Sequence, residues 1–405
     1  MSEFPSLPLP ARLWVPCPVG PKPPGSRVAR GEALGAAGEQ VPSPANGRIV
    51  GASRQMLLGG SEVETIEIET EPAEAPAIGP ATSPQQARQM LDGLAHGSPE
   101  TYVAKLLSAG IAADRWTSPD LTGQLAQSSR NPVDAVLGGA LDLDPVLPVQ
   151  QSLCKTHAID LAAGVMALAK IAGAVRGIIA LPEDSPADIV VAMKAAGAVT
   201  SARLYPLRSE YPTANPSLLI RRVLGRRLRP GLLPTQVGVL LVDAPAAVAI
   251  GRYFIHAEPL LDVPFGLFEW RHARRHTLNV PIGTRLSDLL DALSIPHSEC
   301  DLRIGHVLRE KRVTRDAIIA GGELTLVASE AAIPPPASAC VRCGWCVDAC
   351  PAHLHPAGLL EAAQQQDLGL GDRCGLQSCI ECGICTYVCP SRLPLLQAIR
   401  ALKAS

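Results

Sequence analysis

Two short cysteine-rich runs near the end of the chain have the spacing that iron–sulfur clusters require. They cover residues 340–351 and 379–390, and both follow the pattern C-x-x-C-x-x-C-x-x-x-C-P. In bacterial sequences this run binds a [4Fe–4S] cube through thiolates, and its fourth cysteine ligates the other cube. The spacing therefore predicts two clusters. The ligands of cluster 1 would be Cys340, Cys343, Cys346 and Cys389, and those of cluster 2 would be Cys350, Cys379, Cys382 and Cys385.

Other uses of these cysteines fit the pattern less well. Structural zinc prefers two separated C-x-x-C pairs with four ligands in total. A disulfide framework belongs to secreted proteins, and we expect no export because Met1 to Pro5 does not resemble a signal peptide. Gly344 and Gly383 are expected where the backbone approaches the cluster closely. Cys374 lies outside both runs, and we interpret it as a packed small residue rather than a ligand.

Composition excludes several classes of function. The chain has 405 residues and a formal net charge of −2, and no segment is basic enough to predict nucleic-acid binding. No apolar run is long enough for a membrane span, because Asp243 and Pro245 interrupt the run 237–249. The basic runs 221–229 and 271–276 are either solvated faces or surfaces that steer an acidic electron carrier. Reduced thiols predict a cytoplasmic location.

Strand and helix patterns predict a multidomain α/β and α+β protein. Residues 1–75 read as short strands and resemble a lipoyl/biotinyl-like barrel-sandwich hybrid without a carrier lysine at its tip. Residues 76–97 are expected to be a linker and a helix, and 98–265 an α/β domain around a mostly parallel sheet. Residues 266–333 resemble a soluble-ligand-binding β-grasp (SLBB-like) unit, and 334–405 are expected to form an α-helical two-cluster ferredoxin module.

This order of units resembles the C subunit of the Rnf electron-transport complex along nearly the whole chain. The residues that carry the resemblance are the two cluster runs, the phrase 382–391, Tyr211-Pro followed by Leu218-Leu-Ile220, and Gly231-Leu-Leu-Pro-Thr-Gln-Val-Gly-Val239. A related protein is the cobalamin reductase of propanediol-utilising microcompartments. The resemblance also implies an α/β domain similar to the NADH-binding flavoprotein subunit of respiratory complex I, with FMN and NADH in one crevice.

Three elements of that crevice depart from the family pattern. The family's glycine-rich loop, G-x-G-G-x-G-F-P-T, is replaced by residues 109–119, which place an acid and bulky side chains where phosphate-binding glycines belong. The acidic turn is reduced to Asp142-Leu-Asp144-Pro145, and a third phrase keeps Tyr211 but loses its glycines. We therefore expect a degenerate site, with Asp142, Asp144 and Tyr211 as its remnants. Surface acids are the alternative interpretation of the two aspartates.

Three functions remain open at this point. The first is an electron-transfer protein whose two [4Fe–4S] clusters exchange electrons with a flavoprotein, a ferredoxin or subunits of a membrane complex. The second, implied by the resemblance, is an NADH:FMN oxidoreductase that reduces a corrinoid, a ferredoxin or a quinone. The third is a non-catalytic docking or assembly subunit. The resemblance places the chain at the cytoplasmic face of a membrane complex or inside a bacterial microcompartment.

Overall fold

The computed structural model describes residues 4–17, 22–35, 41–71, 81–94, 97–144, 146–296, 300–309, 311–322, 324–330 and 336–405. Much of the predicted linker lies outside these ranges, as does Pro145 of the acidic turn. Within the described ranges, no helix has both the length and the apolar character needed to cross a bilayer.

The N-terminal unit is a four-stranded antiparallel sheet in the order β1-β4-β3-β2. Alternating side chains of its strands, among them Leu13, Ile49, Ile66 and Ile68, form one small apolar core. The alternation of apolar and polar residues over 63–69 predicts a strand, and β4 covers this stretch. The strands are β1 (Arg12–Pro16), β2 (Arg27–Val28), β3 (Gly47–Met56) and β4 (Glu62–Thr70).

The central unit is a parallel sheet in the order β7-β6-β5-β8, covered by helices. β5 and β8 are buried along their whole length, as continuous apolar strands in a parallel sheet should be. The strands are β5 (Ala135–Gly139), β6 (Arg176–Pro182), β7 (Arg203–Leu207) and β8 (Val239–Asp243). The helices are α1 (Pro84–Gly93), α2 (Pro99–Ser108), α3 (Leu121–Gln127), α4 (Val149–Thr156), α5 (Ala158–Ile171), α6 (Ala187–Thr200), α7 (Pro216–Leu224) and α8 (Ala244–His256).

One helix of this unit differs from the sequence expectation. The apolar stretch 153–174 predicts a single long helix, but the structure divides it between α4 and α5 at His157. His157 adopts φ −129°, outside the helical region, and its Nδ1 lies 3.1 Å from Oδ2 of Asp160 in the first turn of α5. Periodicity alone does not reveal such a break, because the apolar pattern continues through it.

The third unit is a five-stranded mixed sheet in the order β10-β9-β13-β11-β12, with α9 packed on it through Leu286, Leu289 and Leu290. Its first and last long strands, β9 and β13, are parallel neighbours at the centre. The predicted boundary between residues 265 and 266 falls inside β9. The elements are β9 (Asp262–Glu269), β10 (Arg274–Pro281), α9 (Leu286–Ala292), β11 (Cys300–Ile304), β12 (Lys311–Arg312) and β13 (Thr325–Glu330).

The C-terminal unit is helical in its described residues. Leu359, Leu376, Leu395 and Ile399 form its apolar core between the long helices α11 and α14. The stretches 358–366 and 394–403 predict helices by their residue propensities, and α11 and α14 cover nearly all of both stretches. The helices are α10 (Trp345–Asp348), α11 (Pro356–Gln365), α12 (Leu368–Arg373), α13 (Ile384–Tyr387) and α14 (Leu395–Ala404).

Candidate functional site

Four cysteines from two separate runs surround one small cavity in the C-terminal unit. Cys350 of the first run lines it together with Cys379, Cys382 and Cys385 of the second. The remaining lining is mostly apolar and includes Leu354, Ile380, Leu396 and Ile399. This is the grouping that the spacing predicts for cluster 2, and it shows that the fourth cysteine of one run crosses to the other.

The ligands predicted for cluster 1 lie nearer the surface. Cys343 and Cys389 are close enough to Cys346 to help raise its pKa, although burial is the larger cause. Cys340 and Cys343 are exposed. The start of the first run is tied to the end of the second, because Ser391 Oγ donates a 2.8 Å hydrogen bond to the Ala339 carbonyl.

The donor set around the buried cavity suits an iron–sulfur cluster. Burial raises the pKa of Cys382 to about 11 and that of Cys385 to about 12, and neighbouring sulfurs add to both shifts. At neutral pH these thiols therefore remain protonated unless bound iron compensates the negative charge. An all-sulfur donor set within apolar walls matches a [4Fe–4S] cluster, which would be held by these cysteines.

Cys374, the cysteine between the runs, takes no part in either group. It is half-buried, and its Sγ would lie 2.6 Å from a Cβ placed on Gly358 of α11. It packs against the core of the unit. This position agrees with the interpretation of Cys374 as a packed small residue.

The two runs have the same backbone conformation at their glycines, but the glycines have different surroundings. Gly344 and Gly383 both adopt left-handed conformations, with φ of +83° and +79°. A Cβ on Gly383 would lie 1.8 Å from the carbonyl oxygen of Leu308 in the β-grasp unit, whereas a Cβ on Gly344 would meet nothing within 4 Å. The glycine at 383 is thus required by the docking of two units as well as by its conformation.

This difference predicts unequal effects for the same substitution. Gly344→Ala should destabilise the protein by about 1 kcal/mol through its left-handed backbone alone. Gly383→Ala adds a backbone clash and should cost about 3 kcal/mol or more. Anaerobic thermal unfolding, monitored by tryptophan fluorescence, would measure the loss of stability in each variant. Equal shifts of the two midpoints would contradict the proposed contact with Leu308.

A crevice is expected where the strand order of the parallel sheet reverses, at the carboxyl ends of β5 and β8. Asp243 ends β8 there and is paired with Arg115, with Nε–Oδ2 and Nη2–Oδ1 distances of 2.7 and 2.6 Å. The side chains are 7% and 2% exposed. We expected an acid of the loop 109–119 to enter this crevice, but Asp114 is exposed and Arg115 enters instead.

An aromatic column stands beside this ion pair. The rings of Trp116 and Tyr211 are nearly parallel with centroids 6.4 Å apart, and those of Tyr211 and His306 are 3.9 Å apart. The guanidinium carbon of Arg309 lies 4.6 Å from the Trp116 ring centroid. The column therefore joins the α/β unit, which supplies Trp116 and Tyr211, to the β-grasp unit.

The column is also bonded to the cysteine cavity. Trp116 Nε1 donates a 3.1 Å hydrogen bond to the carbonyl of Ile380, and Tyr211 Oη donates a 2.5 Å bond to the carbonyl of Cys382. The second cysteine run is thereby fixed against the carboxyl edge of the parallel sheet. No local sequence pattern marks the roles of Trp116 and His306, because their partners are distant in the chain.

The two aspartates predicted as crevice remnants have different surroundings. Asp142 accepts hydrogen bonds from the backbone N–H groups of Gln150 and Gln151 at the start of α4, and burial raises its pKa to about 7. Asp144 is buried, and its charge acts on His306, whose pKa is lowered mainly by burial. His306 thus interacts with the charge of Asp144 and stacks on the ring of Tyr211, whereas Asp142 caps the start of α4. Neither aspartate is a surface acid.

The parallel sheet and the cysteine-rich helical unit at its carboxyl edge each match a known domain family. Residues 122–252 match the Nuo51 FMN-binding domain family, and residues 336–390 match the 4Fe-4S dicluster domain family. A solved NAD+-reducing [NiFe]-hydrogenase has a similar fold, with a TM-score of 0.52 and 15% identity over 78% of this chain and 63% of that one.

Comparison with individual curated proteins gives more specific matches than the domain families do. The C subunit of the Na(+)-translocating ferredoxin:NAD(+) oxidoreductase complex of Acetobacterium woodii is 26% identical over 92% of this chain and 83% of the relative. The C subunit of an ion-translocating oxidoreductase complex of Edwardsiella ictaluri is 28% identical, and this chain spans 52% of its length. The similarity to the C subunit of Rnf that the motifs predicted is confirmed.

The crevice residues do not fit FMN, although the domain matches an FMN-binding family. A flavin phosphate needs free backbone N–H groups. In the loop that replaces the glycines, Arg115 and Ser118 bond each other's backbone, and the Leu121 N–H donates to Ala113. The Arg115 guanidinium is already bound to Asp243.

Proposed function

We propose that this chain is an electron-transfer subunit that carries two [4Fe–4S] clusters and binds no flavin of its own. Cluster 1 is held by Cys340, Cys343, Cys346 and Cys389, and cluster 2 by Cys350, Cys379, Cys382 and Cys385. The observation that carries the proposal is the cavity that Cys350 shares with three cysteines of the second run. Because the runs exchange their fourth ligands, the two clusters are held close together and pass single electrons between them.

The surroundings of the two clusters support a direction of electron transfer within the chain. The cavity of cluster 2 lies against the α/β and β-grasp units through Trp116 and Tyr211. The cysteines proposed for cluster 1 include two that are exposed. Cluster 2 is therefore the inner site and cluster 1 the outer site, where electrons are exchanged with another protein.

An NADH:FMN oxidoreductase is the second candidate, and the match of residues 122–252 to the FMN-binding family favours it. It would require a flavin in the crevice that Arg115, Trp116 and Tyr211 occupy. A corrinoid, a ferredoxin or a quinone would then accept the electrons. The two candidates make opposite predictions for the flavin content of the protein.

One anaerobic preparation tests both candidates. The first predicts about eight iron atoms per chain, EPR signals from two interacting reduced clusters, and no FMN in an acid extract. NADH alone should leave the clusters oxidised, because no flavin is present to split its electron pair. Stoichiometric FMN, or reduction by NADH without an added flavoprotein, would replace the first candidate by the second. Far fewer iron atoms would count against both.

The relatives are named as subunits of ion-translocating complexes, which supports a place for this chain in an assembly of that kind. We propose the cytoplasmic face of such a complex as its location, with a microcompartment as the alternative. The N-terminal antiparallel sheet supports a barrel-sandwich hybrid, and the mixed sheet with central parallel strands supports an SLBB-like β-grasp unit.

A further inference from the structure

The two cysteine runs form an internal repeat, so each position of one run has an equivalent in the other. Arg342 and Glu381 both have φ of +55°, and the glycines that follow are both left-handed. One-turn helices, α10 and α13, come next. What covers one run can therefore be compared directly with what covers the other.

Residues 380–383 of the second run are covered by the rest of the chain, whereas Tyr387 at the end of α13 is 73% exposed. Ile380 is only 7% exposed and bonds Trp116 through its carbonyl. The charge of Glu381 is met by Arg400 and Lys403 of α14, each at 3.0 Å. Leu308 touches the backbone at Gly383. In the second run, the same chain thus supplies both the apolar cover for Ile380 and the charge partners for Glu381.

Within the described residues, the outer face of the first run has neither apolar cover nor a charge partner. Val341, the equivalent of Ile380, is 67% exposed, and Trp345 of α10 is 57% exposed. Arg342 forms no ion pair with any residue in the described ranges. Arg392 is exposed too, and its segment is tied to the start of the first run, because the Ser391 carbonyl accepts a 3.0 Å hydrogen bond from Ser338 N–H. We call Val341, Arg342, Trp345 and Arg392 the first-run face.

We propose that the first-run face is the docking surface for an acidic redox protein, which covers it as the α/β and β-grasp units cover the second run. This inference rests on the proposed function. Both charges of the face are positive, and Asp348 at the end of α10 instead lies in a groove with Arg221 and Arg222. Exposed tryptophan and arginine side chains are the residue types most enriched at the energetic centres of protein–protein contacts. The face also surrounds exposed Cys340 and Cys343, so a partner bound there lies next to cluster 1.

Anaerobic stopped-flow mixing with a reduced bacterial ferredoxin, a strongly acidic probe, tests the proposal. At low ionic strength, Arg342→Glu should lower the second-order rate constant about tenfold or more, because it reverses the charge that steers the encounter. Trp345→Ala should lower it through the loss of apolar contact, with a weaker dependence on salt. Arg221→Glu, an exposed arginine of α7, is the matched control and should change the rate less than about twofold.

Iron content and the EPR spectrum of each variant are measured first, so that a missing cluster is recognised as a failure of the proposed function. With full clusters, wild-type rates in both Arg342→Glu and Trp345→Ala would overturn the docking surface. A loss confined to Arg221→Glu would also overturn it, because docking would then occur at α7. Basic cytochrome c as oxidant should show the opposite charge dependence. A dimer that Trp345→Ala dissociates without changing the rate would assign the face to a second copy and overturn the proposal.

Discussion

Cys382→Ser is expected to remove about four of the eight iron atoms and to abolish electron transfer through the chain. Cys382 lines the inner cavity, where apolar walls leave no other group that could replace its sulfur. A serine hydroxyl there would remain protonated and would bind iron weakly. Iron analysis together with EPR measures the result, and the spectrum of cluster 1 alone should remain.

The matched control is Cys374→Ser, in the same helical unit. Cys374 packs against Gly358 and lines no cysteine cavity, so this variant should keep all the iron and both EPR signals. Loss of a cluster in Cys374→Ser, or a full complement of iron in Cys382→Ser, would show that the ligand assignment is wrong. Serine is used in both variants because it preserves the size of the side chain.

Arg115→Ala should lower the free energy of unfolding of the α/β unit by about 3–5 kcal/mol, because it leaves the carboxylate of Asp243 buried without a cation. The pair is bidentate and almost fully enclosed. Thr117 Oγ1 and the Ala246 N–H also donate to this carboxylate, but neither carries a charge. Denaturant unfolding monitored by circular dichroism would measure the loss.

Arg226→Ala provides the comparison, since Arg226 makes a similar pair with Asp134 near the surface. There the side chains are 31% and 44% exposed, and the loss should be about 1 kcal/mol or less. The double variant Arg115→Ala/Asp243→Ala should recover part of the loss, because no unpaired charge then remains. Equal costs for the two single arginine variants would contradict the proposed burial of the Arg115–Asp243 pair.

The cluster ligands could be predicted from the sequence because their spacing is local and few chemistries tolerate it. The parallel sheet was predictable for a similar reason, since each strand is a short apolar run such as Val239–Asp243. In both cases the signal lies within a few neighbouring residues. The grouping of Cys350 with the second run also followed from the pattern, and the structure places those sulfurs around one cavity.

The contents of the crevice were beyond prediction because they depend on distant partners. The loop 109–119 revealed that the family's phosphate-binding glycines were missing, but not which contacts its own side chains make. Arg115 binds a residue 128 positions away, and Trp116 stacks on Tyr211, which in turn stacks on His306 of another unit. No local pattern marks such contacts. The departure from the motif was readable in the sequence, whereas only the structure identified the side chains that lie at the crevice.

The hydrogen bond from Trp116 to Ile380 spans 264 positions of the chain, which bears on how the protein is made. While the ribosome is still synthesising the chain, the α/β and β-grasp units can fold, but the residues that will rest on them have not yet emerged. The inner cluster can reach its final surroundings only after residues 379–390 have left the ribosome. Iron delivery to that site is thus expected to follow the folding of the α/β and β-grasp units and to act on a scaffold that is already folded.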